Sequence, residues 1–216
     1  MANQATGFGC RMTMALGNSP ATQGQSEYKI KSGLGVGIYK NNPCSIQNSS
    51  GDEGYLQDMS FATLDDTGTG GLAFNNTTST SPLIGVFNGA FYVAATTSKP
   101  TWANSVAAST TFSTDYNTGS SDGLGFVNDD PQQEFVMKAD AAVTQSMAGS
   151  AGYNINNFTA TDAVSGQSTA KLDVGTSAST RMFKLVRKAE EPGNDDATAI
   201  NSNVIVTIAR ASSLWN

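Results

Sequence analysis

The 216 residues carry a formal charge of −6 with a pI near 4.5, which excludes the basic footprint of a nucleic-acid-binding protein. Leu, Ile, Val and Phe number 40, fewer than one residue in five, yet charged residues reach only 14%. Disorder is normally sustained by charge as well as by low hydrophobicity, so the composition predicts an ordered β protein rich in small polar residues, its burial completed by partners.

Residues 1–26 show neither a helical nor a strand period and are expected to form an extended N-terminal arm. The arm carries Phe8, Gly9 and Arg11 among further glycines. Glycine lets a chain conform to a neighbour, while Phe and Arg are residue types that supply interface energy. The opening also lacks the apolar run behind a basic segment that a secretory signal needs, and no stretch reaches membrane-span length. Assembly in the cytoplasm is therefore expected, with Cys10 and Cys44 as two free thiols.

A single β-rich domain is expected over 27–216. Residues 27–39, EYKIKSGLGVGIY, alternate β-formers with glycines. Gly33, Gly35 and Gly37 imitate a phosphate-binding loop, but the dinucleotide fingerprint needs G-x-G-x-x-G followed by a helix. Here a strand and a Pro turn follow, and no Gly-Lys-Ser/Thr is present. The three glycines are read instead as allowing another backbone close to a strand. Residues 47–81 are Ser/Gly/Asn/Thr-rich around an apolar island and read as a long loop insertion.

The strongest strand signal is PLIGVFNGAFYVAA, residues 82–95. Alternation assigns Leu83, Phe87, Phe91 and Val93 to one face and Ile84, Val86, Ala90 and Tyr92 to the other. With both faces apolar, the strand is expected to be central and covered on both sides. Phe87, Phe91, Tyr92 and Trp102 are assigned to the core or to a contact between copies, because so few other large apolar residues exist. Residues 115–123, DYNTGSSDG, match a calcium loop only in part and are read as a turn, with a weak calcium site at Asp115–Asp122 as the alternative.

Further strands are expected at 133–139, 170–174, 181–188 and 203–210, and a short helix within 139–152. Turns at NDDP and EEPGND punctuate them. Short strands separated by Gly/Asn/Ser turns predict an all-β sandwich or barrel-like domain.

The chain contains no histidine, which removes the usual general base and metal ligand. The adjacent carboxylates Asp65/Asp66, Asp129/Asp130 and Asp195/Asp196 sit beside Gly, Pro or other turn formers, where aspartates build Asx-turns. Arg181, Lys184, Arg187 and Lys188 are offset by Glu190, Glu191, Asp195 and Asp196 and read as a solvated strand end. No catalytic residue, cofactor or metal is assigned.

Several stretches together resemble the capsid cement or decoration proteins of tailed, mostly marine, bacteriophages. They are FGCR at 8–11, EYKI, GIYKNNP, LIGVFNGAFYV, KPTW at 99–102, FVNDDPQQEFVMKAD, KLDV and EEPGND. The series spans nearly the whole chain, although MTMALG after Arg11, Cys44 and the SSLWN ending depart from the pattern. The resemblance implies a non-enzymatic virion protein on the exterior of the phage head. Its partners would be the major capsid protein and further copies of itself, a trimer by analogy, with Phe8, Gly9 and Arg11 in capsid docking. A tail or head-fibre component and a carbohydrate-binding module are the alternatives.

Overall fold

The structure, a computed structural model, describes residues 3–15, 24–47, 53–58, 83–115, 119–149, 152–156, 164–178, 182–189 and 199–209. The first strands are β1 (Arg11–Ala15), β2 (Gln25–Ile30), β3 (Ile38–Tyr39), β4 (Pro43–Ile46) and β5 (Leu56–Asp58). They are followed by β6 (Leu83–Val93), β7 (Pro100–Ala103), β8 (Ser105–Val106), β9 (Gly123–Asn128) and β10 (Gln133–Lys138). The last are β11 (Gly152–Asn156), β12 (Lys171–Ala178), β13 (Phe183–Lys188) and β14 (Asn203–Ile208). The domain is all-β and sandwich-like, as the turn spacing predicts.

One sheet runs β1-β10-β14-β13-β11-β12, and a second runs β2-β9-β6-β4-β5 with β7 added along β6. The named strand pairs are antiparallel, and β3 and β8 form a small ribbon beside the second sheet. Phe135, Met137, Tyr153, Phe183, Val204 and Val206 of the first sheet are buried with Leu83 and Val86 of β6. A separate core places Ile30, Ile84, Phe87, Ala90 and Val127 of the second sheet under Leu34, Ile38, Val106 and Phe112. Over residues 83–87 β6 is thus covered on both sides, which accounts for its unbroken apolar sequence.

Four expectations are corrected. Of the three glycines read as admitting another backbone, Gly33 and Gly35 have open space around them, Gly33 at φ +77° in the turn between β2 and β3, and at Gly37 a Cβ would lie 3.0 Å from the Val106 carbonyl oxygen. The helix within 139–152 shrinks to one 3₁₀ turn, Gln145–Met147. Part of the predicted insertion is structural: Leu56 is fully buried in β5, which pairs with β4. Residues 48–52 and 59–81 of that insertion lie outside the described residues.

The fourth correction concerns the arm. Residues 11–15 form β1 along the edge of the first sheet, with Arg11 opposite Val136. Gln25 and Ser26 already belong to β2. Cys10 is fully buried, and its N–H bonds to the Asn41 carbonyl at 2.8 Å. Gly9 adopts φ +69°, and a Cβ there would lie 2.5 Å from the Asn41 carbonyl oxygen, so only glycine fits. The segment is built into its own domain because hydrogen bonding to β10 needs no strong apolar period at a sheet edge.

Cys10 and Cys44 are free, buried thiols. The Cys10 thiol faces the Met137 sulfur at 3.6 Å and the Cys44 thiol faces the Gly85 carbonyl at 3.5 Å. Burial raises both well above the ordinary thiol value of 9.0, with the carboxylates of Asp58 and Asp129 adding to the effect at Cys44. Tyr28 is pushed up to about 12, first by burial and then by its 2.8 Å hydrogen bond to Asp129. All three groups ionise more readily in the unfolded chain. Their contribution is therefore complete below about pH 9 and is lost as pH rises through the thiol and then the phenol range. Each buried thiol should lower stability by on the order of 1.4 kcal/mol per pH unit above that point. Urea unfolding at about pH 8 and about pH 10 measures the fall, and thiol-reagent labelling should be negligible until the protein unfolds.

Candidate interaction face and adjoining cleft

The register around β6 decides which aromatic residues reach solvent. Phe87 lies opposite Val127, but the next paired residue, Gly89, lies opposite Phe126, leaving Asn88 as a bulge. A bulge inserts one residue and reverses the alternation beyond it. Phe87, Ala90 and Tyr92 therefore share the covered side, and Phe91 turns to the other, contrary to the uninterrupted alternation expected from sequence. The four predicted aromatics separate accordingly. Phe87 is fully buried, and Tyr92 is half-buried and stacked on Phe112 at 4.5 Å between ring centroids. Phe91 and Trp102 are register partners between β6 and β7.

Trp102 is 59% exposed, an unusual position for the largest apolar side chain. Its ring lies 4.7 Å from that of Phe126 and beside Gly89, where a Cβ would meet the indole at 3.6 Å, an ordinary contact distance. Phe91, Leu124 and Phe126 are half-buried, and Phe91 pairs with Leu124 across β6 and β9. The result is an apolar strip running across three strands. Glu27 and Lys29 of β2, opposite Phe126 and Leu124, close its polar side. Sequence reading missed Phe126 and Leu124, although the alternation in GLGFVN carried the signal.

At one end the strip opens into a cleft of about 270 Å³. Phe91, Val93 and Leu124 supply apolar walls, and Lys29, Asp115, Ser120 and Asp122 supply polar ones. Lys29 Nζ lies 3.6 Å from an Asp122 carboxylate oxygen. The Tyr55 hydroxyl donates to the same carboxylate at 3.2 Å, which pushes the Tyr55 phenol up by desolvation first and by the negative charge second. The loop closes on itself through Asp115 N–H to Ser120 O and Gly119 N–H to Asp115 O, both 2.8 Å. Among the described residues no group of three or more acidic, Cys or His side chains is placed to hold a metal ion.

Of the predicted docking residues, Phe8 is half-buried against Val136, Ala189 and Ile205 on the outer side of the first sheet. The Arg11 guanidinium lies 4.9 Å from its ring centre and the Lys138 ammonium 5.8 Å, both within cation–π range. Gly9 is locked as described, so Arg11 alone of the three is exposed. On the same side of that sheet Arg187 holds Glu134 by two bonds, of 2.9 and 2.7 Å. The cationic strand end predicted to be solvated thus includes one residue committed to a buried carboxylate; Arg181, Glu190, Glu191, Asp195 and Asp196 lie outside the described residues.

Asp130 forms the expected Asx-turn, accepting from Gln132 N–H at 2.8 Å. Its neighbour Asp129 is taken by Tyr28, while Asp65/Asp66 and Asp195/Asp196 lie outside the described residues. No helix among the described residues is long and apolar enough to cross a membrane. No protein-family model, curated protein or solved structure matches the chain.

Proposed function

We propose that this chain is a structural protein of a tailed-phage virion that binds the outer surface of the head and cements neighbouring capsid subunits. The observation that carries the reading is the exposed strip of Trp102, Phe126, Phe91 and Leu124 on a rigid antiparallel sheet. Aromatic residues on a fixed platform give large contact area at little entropic cost, which is what protein docking requires. The series of motifs resembling head decoration proteins supplies the partner, the major capsid protein. A trimer would present three such strips, and simultaneous engagement raises the effective concentration of each contact.

Trp102→Ala is the direct test, because the side chain is mostly exposed and its removal leaves the fold intact. Binding to empty capsids in co-sedimentation should weaken by roughly 30-fold or more, the loss typical of an interfacial tryptophan. Capsid binding equal to that of the unaltered chain would exclude the strip as the docking surface. Sedimentation of the isolated protein reports the trimer separately.

A further inference from the structure

We infer that the cleft beside the aromatic strip is a binding site for a neutral saccharide. The cleft shares Phe91 and Leu124 with the docking strip, while Asp115, Ser120 and Asp122 belong to the cleft alone.

The chemistry of the walls selects the ligand. Asp122 and Lys29 offset each other across 3.6 Å, and Asp115 adds a further negative charge. A phosphate, a uronic acid or a sialic acid would meet net repulsion there. A purely apolar ligand would strip water from two carboxylates and an ammonium without replacing their hydrogen bonds, at considerable cost. A pyranose meets both demands, since one ring face is apolar C–H and its rim carries hydroxyls that donate and accept. A carboxylate offers about four acceptor positions and an ammonium three protons, so Asp122, which accepts from Tyr55 and faces Lys29 at 3.6 Å, keeps acceptor capacity for a ligand, and Lys29 keeps protons to donate.

Geometry adds two further points. The rim is positioned before any ligand arrives: Tyr55 holds Asp122, Asp122 N–H bonds Ser120 Oγ at 3.1 Å, and Thr114 meets Ser121 at 3.2 Å. Fixed polar groups spare the ligand the cost of ordering them. The volume, about 270 Å³, lies just below the usual range of pockets for drug-sized ligands and suits one sugar unit. The cleft is also continuous with the strip through Phe91, the register partner of Trp102, so a second unit of a longer glycan would run toward the indole.

The test is saturation-transfer NMR of the full chain with methyl pyranosides of glucose, galactose, mannose and N-acetylglucosamine, each at about 10 mM, in the range where weak sugar sites load. At least one should show transfer to its ring protons. Asp115→Ala and Phe91→Ala, each checked for native circular dichroism, should weaken that glycoside by about tenfold or more. Ser120→Ala serves as the milder variant if either fails to fold. Trp102→Ala should leave monosaccharide binding unchanged while weakening capsid binding by roughly 30-fold or more, which separates the cleft from the Trp102 end of the strip. No transfer from any of the four glycosides, or transfer unaltered in the cleft variants, would overturn the assignment. So would binding abolished by a chelator, because the aspartates would then be holding calcium rather than the sugar.

Discussion

Removing residues 1–10 is expected to cost on the order of 5 kcal/mol of folding stability, enough to abolish the native state of a marginal domain. The reasons are local and additive in sign. Cys10 leaves a fully buried position between the sheets. The Ala170 and Asn41 carbonyls lose the N–H groups of Gly9 and Cys10, at 3.1 and 2.8 Å, and Asn41 Nδ2 loses the Phe8 carbonyl at 3.0 Å. Lys138, only 4% exposed, loses the Gln4 carbonyl that accepts from its ammonium at 2.6 Å. Each orphaned polar group costs about 1–3 kcal/mol, and a buried cation more. Thermal unfolding of the truncated chain measures the loss; a melting temperature within a few degrees of the full chain would contradict it. The same contacts mean that truncation tests folding and capsid docking together. Arg11→Ala separates them, because the side chain is exposed and its contact with Phe8 is worth about 1 kcal/mol at most.

A second large effect belongs to Glu134 and Arg187. The carboxylate side chain is 2% exposed and the guanidinium side chain 42%, so the two partners are unequal. Arg187→Ala strands a negative charge beneath the surface and should cost about 3 kcal/mol, the lower end for broken buried pairs because solvent reaches the arginine side. Glu134→Leu removes the buried charge itself and frees an arginine that water can solvate, so it should cost clearly less. Arg187→Ala combined with Glu134→Leu should recover most of the loss. Chemical denaturation of the three variants decides the matter, and Glu134→Leu being the more damaging single change would refute this account of the pair.

The strand at 82–95 was legible because residues 83–87 of β6 are covered on both faces and leave no place for charge. What sequence could not show was the bulge at Asn88, since apolar residues on both sides of β6 hide any change of phase. For β9 the obstacle was different. Its covered positions include Gly125, where a Cβ would lie 2.6 Å from Leu56 and 2.9 Å from Ile30. Neighbouring side chains fill that space, so the inward alternation is written in glycine rather than in apolar residues. β7 hides behind its initial proline, tolerated because it is the first residue of the strand. The cleft depends on Lys29, Phe91, Asp115 and Asp122, which only the pairing of β2, β9 and β6 brings together.

The seam between β1 and β10 also sets an order of events during synthesis. Arg11 pairs with Val136, and Gly9 bonds to Ala170, so the earliest residues made must wait for acceptors made far later. At roughly 5–20 residues per second on the ribosome, that delay lasts about six to thirty seconds. Closing so long a loop also carries the largest entropic cost among the pairings described in that sheet. The seam can therefore form only after both β10 and Ala170 have been made. While it stands open, the row of backbone donors and acceptors along β10 is unprotected, and a neighbouring nascent chain can offer its own β1 in exchange.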